Sequence, residues 1–158
     1  MNPNVKNIRS ARVEFAAAAD LDAMAGLLTE LFTQEEDFRP ERGKQLAGLR
    51  LILENPEIGQ LFVLRVDGHV VGMANALITI STAEGKRVVL LEDVIVKAAF
   101  RGRELGRHLI DSIYKWAKER DFSRITLLTD KSNKNARRFY ARMGFDRSAM
   151  RVLRKTVF

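Results

Sequence analysis

Two neighbouring carboxylates are the residues of this chain best suited to proton transfer. Glu92 and Asp93 lie in an otherwise apolar segment, Leu90–Val96, where a carboxylate is costly unless it is solvated or paired. Burial raises the pKa of a carboxyl group, so that it can accept a proton from an ammonium ion near neutral pH. The pair is therefore a candidate general base. A structural ion pair or a solvent-exposed strand edge would also explain each residue.

A glycine-containing turn follows this segment and is a candidate anion site. It reads Arg101-Gly102-Arg103-Glu104-Leu105-Gly106 and leads into a segment with helical periodicity. The first amides of a helix have no intrahelical partner and lie at the positive end of the helix dipole, which suits a phosphate group. Arg101, Arg103 and Arg107 add full positive charges. The Walker A pattern and the three-glycine dinucleotide fingerprint are both absent, which argues against those nucleotide sites.

The turn fits the pattern R-x-x-G-x-G with one departure, Glu104 in place of glycine. A second segment, Asn133–Phe145, fits N-x-x-A-x-x-F-Y-x-x-x-G-F. In this order, and separated by a predicted helix and strand, the two motifs resemble the signatures of the GNAT superfamily of N-acetyltransferases. The resemblance extends from about Arg12 to the C-terminus. The Leu-Glu-Asp sequence around Glu92 is similar to that of the diamine and polyamine acetyltransferase branch.

This resemblance implies direct transfer of an acetyl group from acetyl-CoA to a primary amine, without a metal. It implies Glu92 as the favoured base, with Asp93 as second choice, and Tyr140 as the acid that protonates the departing thiolate. Position alone would make Tyr140 a core residue, because it shares an apolar helix stripe with Phe139 and Met143.

The resemblance also implies a set of cofactor-binding residues. The strand bearing the carboxylates would splay from its neighbour and bind the pantetheine arm through its main chain, with one amide polarising the thioester carbonyl. The turn would bind the pyrophosphate, and the motif asparagine would contact the cofactor, although it could equally be a helix cap. The set is Val94, Ile95, Val96, Arg101, Gly102, Arg103, Glu104, Leu105, Gly106, Arg107 and Asn133.

Glu104 is the residue that departs from the motif. A carboxylate beside a pyrophosphate adds like-charge repulsion, and a turn that needs a positive φ would strain it. We expect its side chain to point outward, with Arg103 or Arg107 offsetting the charge. Weak cofactor affinity, or a non-catalytic CoA-binding sensor, stays open as an alternative.

The resemblance implies an α/β fold whose elements follow the order β-α-α-β-β-β-α-β-α-β. Periodicity and turn residues predict the same elements, ending with a strand near Met150–Val157. The central sheet is expected to be mixed, mostly antiparallel and flanked by helices. Residues 1–10 are expected to form a flexible tail and residues 11–158 a single domain. Period-two alternation places Leu91, Asp93 and Ile95 on one face of their strand.

Composition excludes several classes of chemistry. The 158 residues contain no cysteine, which excludes disulfides, thiolate metal sites and a cysteine-borne acyl-enzyme. With no apolar signal-peptide core and no run of membrane-spanning length, the chain is expected to be cytoplasmic.

Charge is divided along the chain. Residues 1–96 contain ten Lys or Arg and fourteen Asp or Glu, a net −4, whereas residues 97–158 contain seventeen and six, a net +11. The basic half suits a polyanionic cofactor. Nucleic-acid binding is disfavoured, because no stacking aromatics alternate with the arginines.

The acidic half contains the run Glu35-Glu36-Asp37 between the first two predicted helices. In the superfamily this loop borders the acceptor site, although such a run is most often a solvated loop. We therefore expect a small cationic amine as acceptor. A protein N-terminus or lysine is the alternative. A homodimer built through Val152–Phe158 is also expected, unless these residues cover the domain's own core.

Overall fold

The computed structural model describes residues 8–35 and 37–158 and shows a five-stranded sheet covered by helices. The sheet order is β1-β2-β3-β4-β5; neighbouring strands are antiparallel except the parallel pair β4 and β5. The elements in chain order are β1 (Ala11–Phe15), α1 (Leu21–Gln34), α2 (Arg42–Glu54), β2 (Gly59–Val66), β3 (His69–Ser81), β4 (Lys86–Val96), α3 (Leu105–Glu119), β5 (Ile125–Leu127) and α4 (Lys134–Arg142). The predicted fold class is confirmed.

Alternating side chains of the central strands form two cores, one on each face of the sheet. On β2, Leu61 and Val63 pack with α1 and α2, while Phe62 packs with α3. This alternation is the period-two pattern of a strand buried on both faces. The sheet therefore separates the helix pair α1 and α2 from α3 and α4.

The hairpin between β2 and β3 has the predicted Asp67-Gly68 turn. Both residues have positive φ, 48° and 85°, as a two-residue hairpin turn of type I′ requires. The Asp67 carboxylate also accepts hydrogen bonds from the amides of Arg9 and Ser10, at 3.1 and 3.0 Å. The end of the predicted tail is thus bonded to the sheet; residues 1–7 lie outside the described residues.

A β-bulge interrupts β4 at the carboxylates. Asn75 pairs with Glu92 and Met73 with Ile95, so two residues of β4 lie opposite one residue of β3. The extra residue reverses the alternation, because Leu91 packs on the α3 side and Ile95 on the α1 side. The prediction that Leu91, Asp93 and Ile95 share one face is therefore wrong.

The predicted last strand does not form. Residues 143–158 contain no strand, and Met150, Leu153 and Phe158 are fully or almost fully exposed. A strand gains stability from backbone pairing and from burial of one face, and these apolar side chains are not buried. The described element order ends at α4. In the described part of the chain, every helix is too short or too polar to cross a membrane.

Candidate active site

A gap opens between β4 and the edge strand β5. The two strands pair only at Val89 with Ile125, Leu90 with Thr126 and Leu91 with Leu127. Beyond Leu91, β4 continues for five residues and pairs with β3 alone among the described strands. The main chain of Val94, Ile95 and Val96 lies in this stretch, whose edge away from β3 has no strand neighbour among the described residues, in agreement with the predicted splay.

Asp93 lies in the bulge at the beginning of the gap. Its φ is 53°, a left-handed conformation that aspartate and asparagine tolerate better than most residues. Asn75 of β3 donates a hydrogen bond from Nδ2 to the Asp93 carboxylate. Burial, and secondarily the charge of Glu92, raises the pKa of Asp93 to about 6, although the Asn75 hydrogen bond opposes the shift. Glu92 is half-buried and lies opposite Asn75 in register.

Asn75 itself was not predicted as a site residue. It is 5% exposed, and its Oδ1 atom has no hydrogen-bond partner within the described residues. A buried carbonyl oxygen without a partner is unfavourable unless water or a ligand supplies the donor. A polar residue in the apolar strand β3 was the available sequence signal.

The loop between α1 and α2, residues 35–41, brings another carboxylate to the same region. Burial raises the pKa of Glu35 to about 7, with further increases from the negative charges of Asp93, Asp130 and Asp37. Arg154 acts in the opposite direction. Glu36 lies outside the described residues. We call Glu35, Asp93 and Asp130 the acidic cluster, because the charges of Asp93 and Asp130 act on Glu35 although the three residues come from three parts of the chain.

Asp130 was also missed by the sequence reasoning. It follows β5 by three residues and is half-buried. The end of a parallel strand is a common position for site residues in open α/β sheets. The sequence signal was therefore its position after the strand that borders the gap.

Tyr140 of α4 lies among aromatic rings near the acidic cluster. Its ring packs edge to face against Phe139 and Phe145, with centroids 5.2 and 5.7 Å away. Burial, and secondarily the charge of Glu35, raises the pKa of Tyr140 to about 12. The phenol is consequently protonated at neutral pH and can donate its proton or a hydrogen bond.

The predicted anion turn leads directly into α3. The first hydrogen bond of the helix joins the His108 amide to the Glu104 carbonyl at 3.0 Å, so the amides of Leu105, Gly106 and Arg107 have no partner inside the helix. Gly102 has a φ of 72°, which glycine adopts without strain.

Glu104 has the strained conformation that the sequence predicted. Its φ is 60°, and its side chain is 82% exposed, with Oε2 3.7 Å from Nη1 of Arg107. The carboxylate thus points outward and Arg107 offsets its charge.

Gly106 connects the turn to α4. A Cβ atom at this position would lie 3.3 Å from Cζ of Phe139, closer than most such contacts. The absence of a side chain lets α3 and α4 pack closely. The start of α3 is therefore in direct contact with the ring cluster around Tyr140.

Two predicted cofactor residues have structural partners. Arg101 donates from Nε to the Val96 carbonyl at 2.8 Å and lies 3.4 Å from the Glu30 carboxylate, which holds the turn to β4 and α1. Asn133 accepts a hydrogen bond from the Ala136 amide at 3.0 Å and caps α4. Arg103 lies exposed in the turn.

The sequence profile described as the Acetyltransferase (GNAT) family matches residues 21–145. The chain belongs to the GNAT family of acetyltransferases. It is an acetyl-CoA-dependent N-acetyltransferase. The comparisons do not specifically support the diamine and polyamine branch.

Three similar proteins illustrate the range of this family. The chain is 36% identical over 86 residues to an uncharacterized N-acetyltransferase of Methanocaldococcus jannaschii, covering 54% of this chain and 38% of that protein. It is 26% identical to the aminoalkylphosphonate N-acetyltransferase of Salmonella typhimurium, covering 86% and 85%. The structure of an aminoglycoside N-acetyltransferase in complex with CoA superposes with a TM-score of 0.80 at 20% identity, covering 94% of this chain and 96% of that one.

Proposed function

We propose that the acetyl acceptor is the primary amine of a small cationic metabolite. The observation that carries this proposal is the acidic cluster, which gathers Glu35, Asp93 and Asp130 beside the gap in the sheet. Negative charge concentrated in a partly buried site attracts a cation and disfavours an anion. Burial and the negative charges of Asp93, Asp130 and Asp37 raise the pKa of Glu35, and a bound ammonium group would relieve this repulsion.

The residues around the gap fit acetyl-CoA. Along Val94–Val96 the edge of β4 that faces away from β3 has no strand neighbour among the described residues, which suits an extended pantetheine arm bound in the manner of strand addition. The amides of Leu105, Gly106 and Arg107 at the start of α3 suit the pyrophosphate. Acetyl-CoA supplies the acetyl group as a thioester, and the chain's own residues position the two reactants and move the protons.

We assign the role of base to Asp93. Its burial, its bulge position and its pKa of about 6 fit a carboxylate that takes a proton from the incoming ammonium, directly or through water. Glu92, the first choice from the sequence, lies next to it and raises its pKa. Glu35 lies at the end of α1 and is assigned to binding the ammonium group by charge.

We assign the role of acid to Tyr140. Its phenol stays protonated at neutral pH because its pKa is about 12, and a thiolate leaving group needs one proton to become CoA. Its packing against Phe139, which contacts Gly106 of the turn, ties its position to the turn that would hold the cofactor.

Two of the similar proteins are named for other acceptors, an aminoalkylphosphonate and an aminoglycoside. An aminoalkylphosphonate carries an anionic group beside its amine, which the acidic cluster would repel. An aminoglycoside carries several amino groups, which the cluster would attract. A protein N-terminus or lysine, and a CoA-binding sensor without turnover, are the remaining alternatives.

A panel assay of CoA release tests the proposal. We expect cationic amines to be acetylated with a higher kcat/KM than neutral amines, and neutral amines better than aminoalkylphosphonates. An anionic amine or a protein N-terminus as the best acceptor would contradict it. The sensor alternative predicts no turnover, with acetyl-CoA and CoA raising the melting temperature and NADH having no effect.

We also propose that the chain forms a homodimer through residues 150–158. Met150, Val152, Leu153, Val157 and Phe158 are each more than half exposed, and an apolar set of this size is costly in water. Light scattering of the full chain and of a variant ending at residue 149 tests this. A dimer that persists in the shortened variant, or a full chain that is monomeric at micromolar concentration, would contradict it.

A further inference from the structure

An arginine from the C-terminal segment contacts the loop that follows α1. The Arg154 guanidinium forms an ion pair with the Asp37 carboxylate. Its Cζ atom lies 5.2 Å from the centroid of the Phe38 ring, a cation–π distance. Phe38 in turn packs on Phe32 of α1, with centroids 5.4 Å apart. Arg154 and Asp37 are 117 positions apart in the sequence, so their contact attaches the C-terminal segment to this loop.

Arg154 also changes the electrostatics of the acidic cluster. The charges of several described residues act on Glu35. Those of Asp93, Asp130 and Asp37 are negative, and that of Arg154 is positive. Its charge has two effects, because it neutralises Asp37 directly and weakens the negative potential at Glu35. The site therefore has a smaller negative charge than its acidic residues alone would give it.

We infer that Arg154 is a specificity-determining residue that limits how strongly the acceptor site favours amines with more than one positive charge. This inference rests on the proposed function, because it assigns charge selection to the proposed acceptor site. A first ammonium group meets Glu35 and Asp93. A second ammonium group meets Asp37, whose charge Arg154 already neutralises, so it contributes little. Arg154 occupies the position that a second substrate cation would otherwise take.

Two probes of equal chain length test this inference, 1-aminobutane with one ammonium group and 1,4-diaminobutane with two. The measured quantity is the ratio of kcat/KM for the diamine to that for the monoamine. In Arg154→Gln, Asp37 loses its partner, and we expect the ratio to rise roughly fivefold, the upper range for an exposed ion pair. In Asp37→Asn, the Arg154 charge is uncompensated, and the ratio should fall. The double variant should return toward the parent.

Two further variants separate charge from structure. Arg154→Lys keeps the positive charge and should keep the parent ratio, even where total activity drops. Arg151→Gln removes the same charge from an exposed arginine in the same segment and should leave the ratio unchanged. A merely structural role would lower kcat/KM for both amines equally and leave every ratio at the parent value.

The outcomes distinguish this inference from the proposed function. Unchanged ratios in Arg154→Gln and Asp37→Asn, ratios that move in the same direction, or an equal effect of Arg151→Gln would overturn the role of Arg154 alone. A parent enzyme that acetylates neither cationic probe but acetylates an anionic amine or a protein N-terminus would overturn the proposed function, and this inference with it.

Discussion

Asn75 on β3 donates a hydrogen bond to the carboxylate of Asp93, at the position where β4 has one residue more than β3. The bulge turns Asp93 out of the regular alternation, and the amide of Asn75 orients its carboxylate. A hydrogen bond to the charged form favours ionisation, while burial disfavours it. The two effects together leave Asp93 with a pKa of about 6, suited to a base that works near neutral pH.

Asp93→Asn should lower kcat/KM about 100-fold or more at neutral pH, the usual scale for loss of a general base. Asparagine keeps an acceptor for Asn75 and tolerates the positive φ, so the loss reflects proton transfer. The parent pH profile should have an acid limb near pH 6 that the variant lacks. Glu92→Gln is the matched control, and a larger loss there would make Glu92 the base.

Asp93 should also make stability depend on pH. Its pKa is raised in the fold from 3.8 to about 6, so the folded state binds more protons than the unfolded state between these values. The contribution of Asp93 to the free energy of unfolding is therefore most favourable below about pH 4. It falls by about 3 kcal/mol as the pH rises through 6. Urea unfolding should find Asp93→Asn more stable than the parent at pH 8, with the difference vanishing near pH 4. A variant that is less stable at pH 8 would contradict the burial of a charged Asp93.

Tyr140→Phe should lower kcat by about 100-fold, because it removes the proton donor. The aromatic packing with Phe139 and Phe145 is retained, so the dissociation constant of CoA, measured by calorimetry, should stay within about twofold of the parent. Full activity across the pH range would show that Tyr140 is only a core residue. Loss of CoA binding would show that its role is to position the turn.

Glu104→Gln should bind CoA several times more tightly than the parent at low ionic strength. The exposed carboxylate lies in the turn assigned to the pyrophosphate, and the repulsion is screened by salt, so the gain should disappear at about 0.5 M salt. Glu119→Gln, at the other end of α3, is the control and should not change CoA affinity. An affinity gain that persists at high salt, or no gain at low salt, would contradict repulsion between Glu104 and the pyrophosphate.

Local features of the fold were predictable from the sequence. Asp67-Gly68 has the φ values that its turn requires, and Gly144 ends α4 with a φ of 85°, because these residues act through their own backbone. The outward direction of the Glu104 side chain was predicted from like-charge repulsion by a pyrophosphate and from the strain of a positive φ. Hydrophobic periodicity located the four α-helices and the five strands of the described residues within a few residues.

Long-range features were not predictable. The bulge at Asp93 depends on the register between β3 and β4, and period-two alternation assumes that no residue is inserted. Asp130 and Arg154 reach the region of Glu35 from distant parts of the chain; the position of Asp130 after β5 was its one signal, and no local pattern marks Arg154. The prediction of a last strand was wrong because it rested on strand propensity alone. Residues 150–157 have neither a neighbouring strand nor a buried face.

The most direct test of the proposed acceptor is the ratio of kcat/KM for a cationic amine to that for a neutral amine of the same size, in the parent and in Glu35→Gln. Glu41→Gln, at the other end of the same loop, is the control. We predict that the parent prefers the cation, that Glu35→Gln reduces the preference at least fivefold, as for loss of a partly buried ion pair, and that Glu41→Gln leaves it unchanged. Neutralising Glu35, Glu36 and Asp37 together should reduce it further. A parent that prefers the neutral amine, or a cation preference that survives in Glu35→Gln and in the triple variant, would contradict the account.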